Sequence, residues 1–305
     1  MAPTLLWSGL GNMGRGMSRN LVEKGSLSSP LLIHNRTLAR SKEFSDSLQP
    51  GMTVVVESIS NGIAQADLIF TCVSNDEAVQ ELYGTMLNGD MTGKLFIECS
   101  TIHPDTTEAV ATRTLAHGAE FIAAPVFGAP AMAEAGQLVA ALAGPPISIA
   151  KARPWFKGVM ARAEIDLTNQ PYRKATELKV LGNTFILNMV EQLAEAHVVA
   201  EKSGLGTEAL HQFVDAVFGG PYTAYSTRML TGDYHKRDKP LFAVNLAKKD
   251  AQHAMSIAQA AGAKLSNVEI GQAHLAKVEE YQGDGGDIAS IYGAARVDAG
   301  LSFEN

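Results

Sequence analysis

Leu5-Leu6-Trp7-Ser8-Gly9-Leu10-Gly11-Asn12-Met13-Gly14 is the stretch that decides the fold. Its first four residues form an apolar run of strand length, and helical periodicity takes over across 13–24. A G-x-G-x-x-G turn that leaves a strand and opens a helix is the junction of a dinucleotide-binding βαβ unit. Gly9 suits the tight turn, Gly11 lets the backbone approach a pyrophosphate, and Gly14 lets helix and strand pack closely. The helix N-terminus adds a field that favours negative charge. Leu10, Asn12 and Met13 complete the loop, so residues 9–14 are all assigned to cofactor binding. A glycine-rich turn without a ligand is the alternative reading.

Further apolar runs follow at 31–34, 52–56, 68–72, 95–99 and 121–123, with helical stretches such as 38–48 and 104–117 between them. Short buried strands alternating with helices pair in parallel through right-handed crossovers, which predicts a doubly wound α/β parallel sheet of Rossmann type. The rhythm changes near Asn169-Gln170-Pro171. From 172 to 202 runs one proline-free pattern dense in Leu, Val, Ile, Met and Ala, closed by Gly204 and Gly206. Helical periods then recur at 207–218, 222–230, 242–261 and 266–281. The expected organisation is a Rossmann domain at 1–170 and an all-helical domain at 171–305, joined through the long helix.

The bulk composition limits the function classes. With 305 residues, 46% hydrophobic and 19% charged, the chain can build a sizeable core. A formal charge of −7 without a basic block argues against a nucleic-acid partner; the basic run at 235–239 is short and reads as a solvated loop. Cys72 and Cys99 have no C-x-x-C spacing and read as buried free thiols. Met1-Ala2-Pro3 runs into the first strand without the basic and apolar regions of a signal peptide, and no stretch reaches the roughly 18 apolar residues of a spanning helix. The expectation is a cytoplasmic protein with no membrane partner.

The end of the second strand selects the dinucleotide. An NAD site usually carries an Asp or Glu there for the ribose 2′-hydroxyl. Here the strand ends His34-Asn35-Arg36-Thr37. Arg36 can grip a 2′-phosphate, with Asn35 and Thr37 as neutral donors beside it, so the expected cofactor is NADP. At the later strand ends, Val73, Ser74 and Asn75 follow the fourth run, and Ser100 and Thr101 the fifth. These residues can touch a cofactor, cap the next helix, or do both.

The catalytic candidates lie in the long helix. Lys179 and Asn183 stand four residues apart, on one face, among apolar neighbours. A lysine there either snorkels to solvent or sits in a cleft, where loss of hydration brings proton transfer towards neutrality.

Taken together, these motifs resemble the β-hydroxyacid dehydrogenases, the family of 3-hydroxyisobutyrate dehydrogenases and glyoxylate/succinic semialdehyde reductases. The likeness spans almost the whole chain. It rests on Gly9 to Gly14, Ser100-Thr101-Ile102-His103-Pro104, Pro125-Val126-Phe127-Gly128-Ala129, Lys179 with Asn183, and Phe242 through Lys249-Asp250. The resemblance implies a Rossmann domain followed by a helical one, and assembly as a homodimer or homotetramer. It implies Lys179 as general acid/base with Asn183 in support, Thr101 and Lys249 by the nicotinamide, and Val73 and Ser74 on the ribose and pyrophosphate side. Ser100, Phe127, Gly128 and Ala129 fall to the substrate side.

Two positions depart from the family. Its substrate loop usually reads Pro-Val-Ser-Gly-Gly, where this chain has Phe127 for the serine and Ala129 for the second glycine. Arg173 and Ala175 replace the glycines that commonly precede the lysine. Cofactor use and proton transfer tolerate these changes; the substrate's identity is what they open. The expected reaction is hydride exchange between NADPH and a small 3-hydroxyacid or semialdehyde-type carbonyl. Reduction of uncharged carbonyls or imines is the alternative, and a non-catalytic NADPH-binding module the second. A histidine catalyst competes with Lys179, but His197 lies about five turns further along the helix, His34 belongs to the adenosine side, and the other histidines read as surface positions. No metal site is expected. The Gly-rich run at 283–287 reads as a turn before the last helix.

Overall fold

The computed structural model describes residues 2–88 and 91–305. The chain divides into two compact units that part after Lys179.

The first unit begins with β1 (Leu5–Ser8), α1 (Asn12–Lys24), β2 (Leu31–His34), α2 (Leu38–Asp46) and β3 (Thr53–Val55). Next come α3 (Ile59–Gln65), β4 (Leu68–Thr71), α4 (Asp76–Met86), β5 (Leu95–Glu98), α5 (Pro104–Ala116) and β6 (Glu120–Ala123). These strands are four-residue apolar runs or close to it, and the central ones are buried on both faces as a parallel sheet requires, while the edge strand β3 is only half-buried, with Val54 exposed. They pair in the order β3-β2-β1-β4-β5-β6, all parallel. Chain direction across the sheet reverses between β1 and β4, so the loops after those two strands flank the switch point where open α/β sheets take their ligands.

Beyond β6 the sheet departs from the purely parallel expectation. The unit continues with β7 (Val126–Phe127), α6 (Pro130–Ala135), β8 (Leu138–Gly144), α7 (Pro146–Ala152) and β9 (Ala161–Thr168). β8 runs antiparallel to both β6 and β7, and β9 pairs in parallel with β8. Pro125 removes one ladder donor where the edge passes from β6 to β7. The two faces of the sheet bury separate cores, one around Trp7, Phe70 and Phe156 and the other around Tyr83, Phe96 and Phe121.

α8 (Arg173–Ser203) is one continuous helix, matching the long proline-free pattern. Its first two turns belong to the first unit: Ala175 is fully buried there, Thr107 donates to the Thr176 hydroxyl at 3.0 Å, and the Arg173 N–H donates to Glu108 at 3.0 Å. The boundary by packing therefore lies inside the helix, several residues beyond the composition change at 169–171.

The second unit is helical among the described residues. After α8 come α9 (Thr207–Val217), α10 (Gly220–Leu230), α11 (Asp233–Lys236), α12 (Val244–Ala260), α13 (Ser266–Gln282) and α14 (Ile291–Asp298). Their apolar stripes meet in a core around Val190, Met229, Leu275 and Tyr292. Asp287, in the turn after α13, accepts the N–H groups of Leu241, Phe242 and Ala289 and pairs with Arg228 at 2.7 Å. This buried staple fixes the entry to α12. No helix among the described residues is long and apolar enough to cross a membrane.

Candidate active site

The glycine turn is built by packing from within and left open outside. Gly9 sits at φ +106, and a Cβ there would overlap the Cys72 carbonyl oxygen. A Cβ on Gly14 would overlap the Gly9 carbonyl, which also accepts the Trp7 indole N–H at 2.8 Å. Gly11 is the opposite case: a Cβ there would meet nothing within 4 Å. Gly11 caps α1 without a side-chain hydrogen bond, and the first turn holds no acidic residue. The open approach at Gly11 and the first-turn backbone donors of α1 form an electropositive cradle that fits a pyrophosphate. Leu10 is buried, so only its backbone belongs to the loop surface.

The end of β2 assigns different jobs to its three polar residues. Asn35 accepts the Leu10 N–H at 2.9 Å and donates to the Thr37 carbonyl at 3.1 Å. Both ends of its amide are engaged in shaping the turn, and the second hydrogen of its NH2 group is the one left for the expected role as a donor to the cofactor. Thr37 is the N-cap position of α2 without a side-chain cap bond. Arg36 projects outward, 84% exposed, with Glu81 at 3.8 Å as a loose partner. His34 meets Ser8 at 3.0 Å, and burial lowers its pKa.

The loops after β4 and β5 are stapled to each other. The Val73 N–H donates to the Ser100 hydroxyl at 2.8 Å, and the His103 N–H donates to Asp76 at 2.8 Å. Beneath them lies Glu98, 1% exposed, which accepts the Ser100 N–H at 2.6 Å and the Thr71 hydroxyl at 2.6 Å. Desolvation raises the Glu98 pKa, and the bonds from Ser100 and Thr71 oppose the rise. Sequence reasoning missed Glu98, whose only signal is a carboxylate inside an apolar strand. Ser100 was expected on the substrate side; it is buried, and its hydroxyl is engaged by Val73, which makes it a link between loops. Asn75 caps α4 by accepting the Ala78 N–H at 3.0 Å, while Ser74 lies exposed beside it. The cap of α5 is His103, not Ser100 or Thr101: its ring nitrogen accepts the Asp105 N–H at 3.2 Å. Thr101 is half-buried at the same loop.

Lys179 closes the first unit. Only 8% exposed, it holds its ammonium 4.9 Å from the centre of the Phe127 ring. Phe127 is fixed by β7, paired opposite Val139, while Gly128 and Ala129 stand exposed just beyond. The amine also lies near the end of β4. Desolvation pushes the Cys72 thiol up to about 12, Glu98 adds to the rise, and Lys179 opposes it. Both cysteines are free thiols. The replacements ahead of the lysine have structural partners: Arg173 pairs with Asp105 and Glu177, and Ala175 fills the core.

The second unit contributes a polar chain of its own. Asn183, one turn beyond Lys179 in α8, donates to Asp250 at 2.6 Å, and Lys249 pairs with Asp250 at 3.0 Å. Asp250 is thus the group that holds both expected site residues of this unit, a role the sequence leaves unassigned. The histidines correct one expectation. His274 is buried, not at the surface, and lies between Glu191 at 2.6 Å and Asp298 at 3.1 Å, with its pKa raised first by the Glu191 hydrogen bond. Both ring nitrogens are engaged by carboxylates, so its setting is that of a structural imidazolium. His197 is also buried and bonds Ser226.

Comparison with known proteins agrees with this arrangement. Residues 4–168 match the family model for the NAD-binding domain of 6-phosphogluconate dehydrogenase. Residues 174–295 match the model for the NAD-binding domain of NADP-dependent 3-hydroxyisobutyrate dehydrogenase. An NADH-dependent oxidoreductase of Aspergillus ustus, ucdB, is 35% identical over 95% of this chain and 98% of its own length. A probable 3-hydroxyisobutyrate dehydrogenase of Mycobacterium tuberculosis is 28% identical over 85% of this chain and 87% of that protein. The solved structure of the Mycobacterium tuberculosis 3-hydroxyisobutyrate dehydrogenase with L-serine superposes with a TM-score of 0.79 at 25% identity, covering 97% of this chain and all of that one. By these matches, and by a glycine cradle and buried lysine in the expected order, the chain belongs to the β-hydroxyacid dehydrogenase family of NAD(P)-dependent oxidoreductases.

Proposed function

We propose that the protein exchanges a hydride between NADPH and a small carbonyl or its alcohol, with Lys179 moving the proton. The observation that carries the reading is the Lys179 ammonium, withdrawn from water and held over the Phe127 ring in the same unit as the glycine cradle. NADPH, when bound, supplies the hydride. Gly11, Asn12 and Met13 offer backbone donors to its pyrophosphate, Val73, Ser74 and Asn75 line the next loop, and Thr101 stands on the nicotinamide side. Arg36 supports the choice of NADP, since it is exposed, only loosely paired with Glu81, and no carboxylate stands beside it at the end of β2. The Aspergillus relative's name specifies NADH, so both nucleotides belong in the assay.

In the reducing direction Lys179 Nζ donates a proton to the carbonyl oxygen; in oxidation it takes one from the hydroxyl. Asn183 supports the amine from the next turn of α8, itself held by Asp250, and Lys249 shares that carboxylate. Phe127, Gly128 and Ala129 form the substrate wall. Semialdehydes and 3-hydroxy acids head the panel of substrates, because the mycobacterial relatives are named for one. Assembly as a homodimer or homotetramer in the cytoplasm belongs to the same reading; Phe185, 78% exposed, leaves a large apolar side chain on the helical unit for it.

Replacing Lys179 with Ala is the direct test. Turnover is expected to fall by about 10²–10⁴-fold, the usual worth of a general acid, while NADPH affinity stays nearly unchanged. Turnover like that of the parent protein overturns the assignment.

A further inference from the structure

We propose that Glu81 is a second determinant of nucleotide choice, taking the ribose 2′-hydroxyl of NADH where Arg36 takes the 2′-phosphate of NADPH, so that the protein accepts both; the proposal rests on the NADP reading of Arg36. The Gly9 turn is seated between the ends of two strands. The Gly9 N–H donates to the carbonyl of His34, the last residue of β2, at 3.1 Å, and a Cβ on Gly9 would overlap the carbonyl of Cys72, one residue past β4. The loop that carries Arg36 and the helix α4 that carries Glu81 leave from those two ends. Their side chains meet across the interval, guanidinium and carboxylate 3.8 Å apart.

Both backbones are held in place. Asn35 ties the first to Leu10 and to Thr37. α4 is capped by Asn75, and Val79 and Tyr83, two residues to either side of Glu81, are buried in the core on one face of the sheet. Only the two side chains project, Arg36 84% and Glu81 71% exposed. An exposed pair at this separation is held weakly, so either partner can turn to a ligand at little cost.

A dinucleotide site tells its two ligands apart at the ribose 2′ position, beside the end of β2. A 2′-phosphate carries about 1.5–2 negative charges near neutral pH, and Arg36 attracts it. A group gripped by Arg36 also comes within reach of Glu81, and those two like charges repel. The repulsion outweighs any help Glu81 gives in orienting Arg36, because the existing pair is loose and the phosphate is nearly a dianion. The 2′-hydroxyl of NADH reverses the balance, since a neutral donor gains a charge-assisted hydrogen bond from a carboxylate. In sites that choose NAD, that acceptor stands on the second strand. Here β2 ends His34-Asn35-Arg36-Thr37 without one, and α4 brings a carboxylate to Arg36 from the other side. The pair thus tempers the preference that Arg36 alone would set.

The test is binding without substrate, read from the fluorescence of NADPH and NADH titrated with the protein. The parent protein is expected to bind the two within about tenfold of each other. Glu81→Ala should move the ratio of affinities about tenfold towards NADPH, tightening that nucleotide and weakening NADH. Glu81→Gln, whose amide oxygen still accepts from a hydroxyl, should tighten NADPH as much and keep more of the NADH affinity. The gain for NADPH should shrink at high salt, which screens exposed charges. Asp46→Asn removes a carboxylate from the far end of α2, about 12 Å along the helix from its first residue, and should leave the ratio alone. A ratio that neither Glu81 variant moves, or that Asp46→Asn moves as far, overturns the proposal, as does a parent protein that favours one nucleotide by more than about a hundredfold. If Arg36→Ala still weakens NADPH alone, the NADP reading survives that failure. If Arg36→Ala weakens both nucleotides equally or neither, the NADP reading falls and the proposal falls with it; binding of neither nucleotide by the parent protein overturns both.

Discussion

At the scale of single residues, what was legible in the sequence was chemistry that needs no distant partner. Arg36 carries the NADP reading in this way, a cation where the chain could have placed a carboxylate. Its present contact with Glu81 is an exposed pair at 3.8 Å, worth at most about 1 kcal/mol. Arg36→Ala should therefore leave the melting temperature alone. A charge-assisted contact to a 2′-phosphate is worth about 1.5–3 kcal/mol, so the same substitution should weaken NADPH binding by roughly 10–150-fold and leave NADH unchanged. Equal loss for both nucleotides would place Arg36 away from the phosphate. Asn35 has a second role that was hidden for the converse reason. Its amide looks like a cofactor donor until its partner is seen, and that partner, the Leu10 N–H, lies 25 residues earlier in the chain. Ser100 hides its role in the same way, since Val73 is 27 residues off.

At the scale of elements, the β1–β6 half of the sheet was readable because each strand is a short apolar run with turn residues at both ends. β8 was not. Leu138–Gly144 is mostly Ala, Leu and Gly and does not stand out from helical sequence. Ala161–Thr168 alternates charged residues with apolar ones, so β9 does carry a period-two strand signal, one that a reading based on short apolar runs passes over. The antiparallel turn into β8 depends on tertiary pairing that no local pattern announces. Glu98 is the element-scale counterpart: a carboxylate at the end of β5 that ties β4 to the loop carrying Ser100 and Thr101. Ala at this position strands two buried donors, at a cost of about 1–3 kcal/mol, and should loosen both cofactor loops. Gln can accept the Ser100 N–H through its oxygen and donate to the Thr71 hydroxyl, which is free to turn. We expect Glu98→Ala to lower both the melting temperature and the affinity for NADPH, and Glu98→Gln to restore most of each. If Gln fails as badly as Ala, it is the negative charge, not the bonding geometry, that the loops require.

At the scale of the whole molecule, the composition changes at 169–171, whereas the two compact units part by packing after Lys179. Thr176 and Ala175 bind the start of α8 to the first unit although the sequence has already become helical by then. The helical unit also hides two histidines whose effects on stability have opposite sign. His274 has its folded pKa raised above 6.5 by Glu191, so it adds stability that is complete below that value and is lost as pH climbs through the raised pKa. His197 has its folded pKa lowered from 6.5 to about 4 by burial, with His211 adding to the shift. Its titration costs nothing above 6.5, and the penalty grows as pH falls towards 4. Denaturant unfolding of the parent protein and of His274→Gln and His197→Gln, between about pH 5 and 8, separates them. The His274→Gln deficit should be largest at the acid end and shrink as pH rises. His197→Gln loses its bond to Ser226 at every pH, yet its stability should fall less steeply than the parent's on the acid side. A His274→Gln deficit that stays constant with pH would mean that the imidazole is neutral between Glu191 and Asp298, and that the cluster holds α13 to α8 by packing and neutral hydrogen bonds alone.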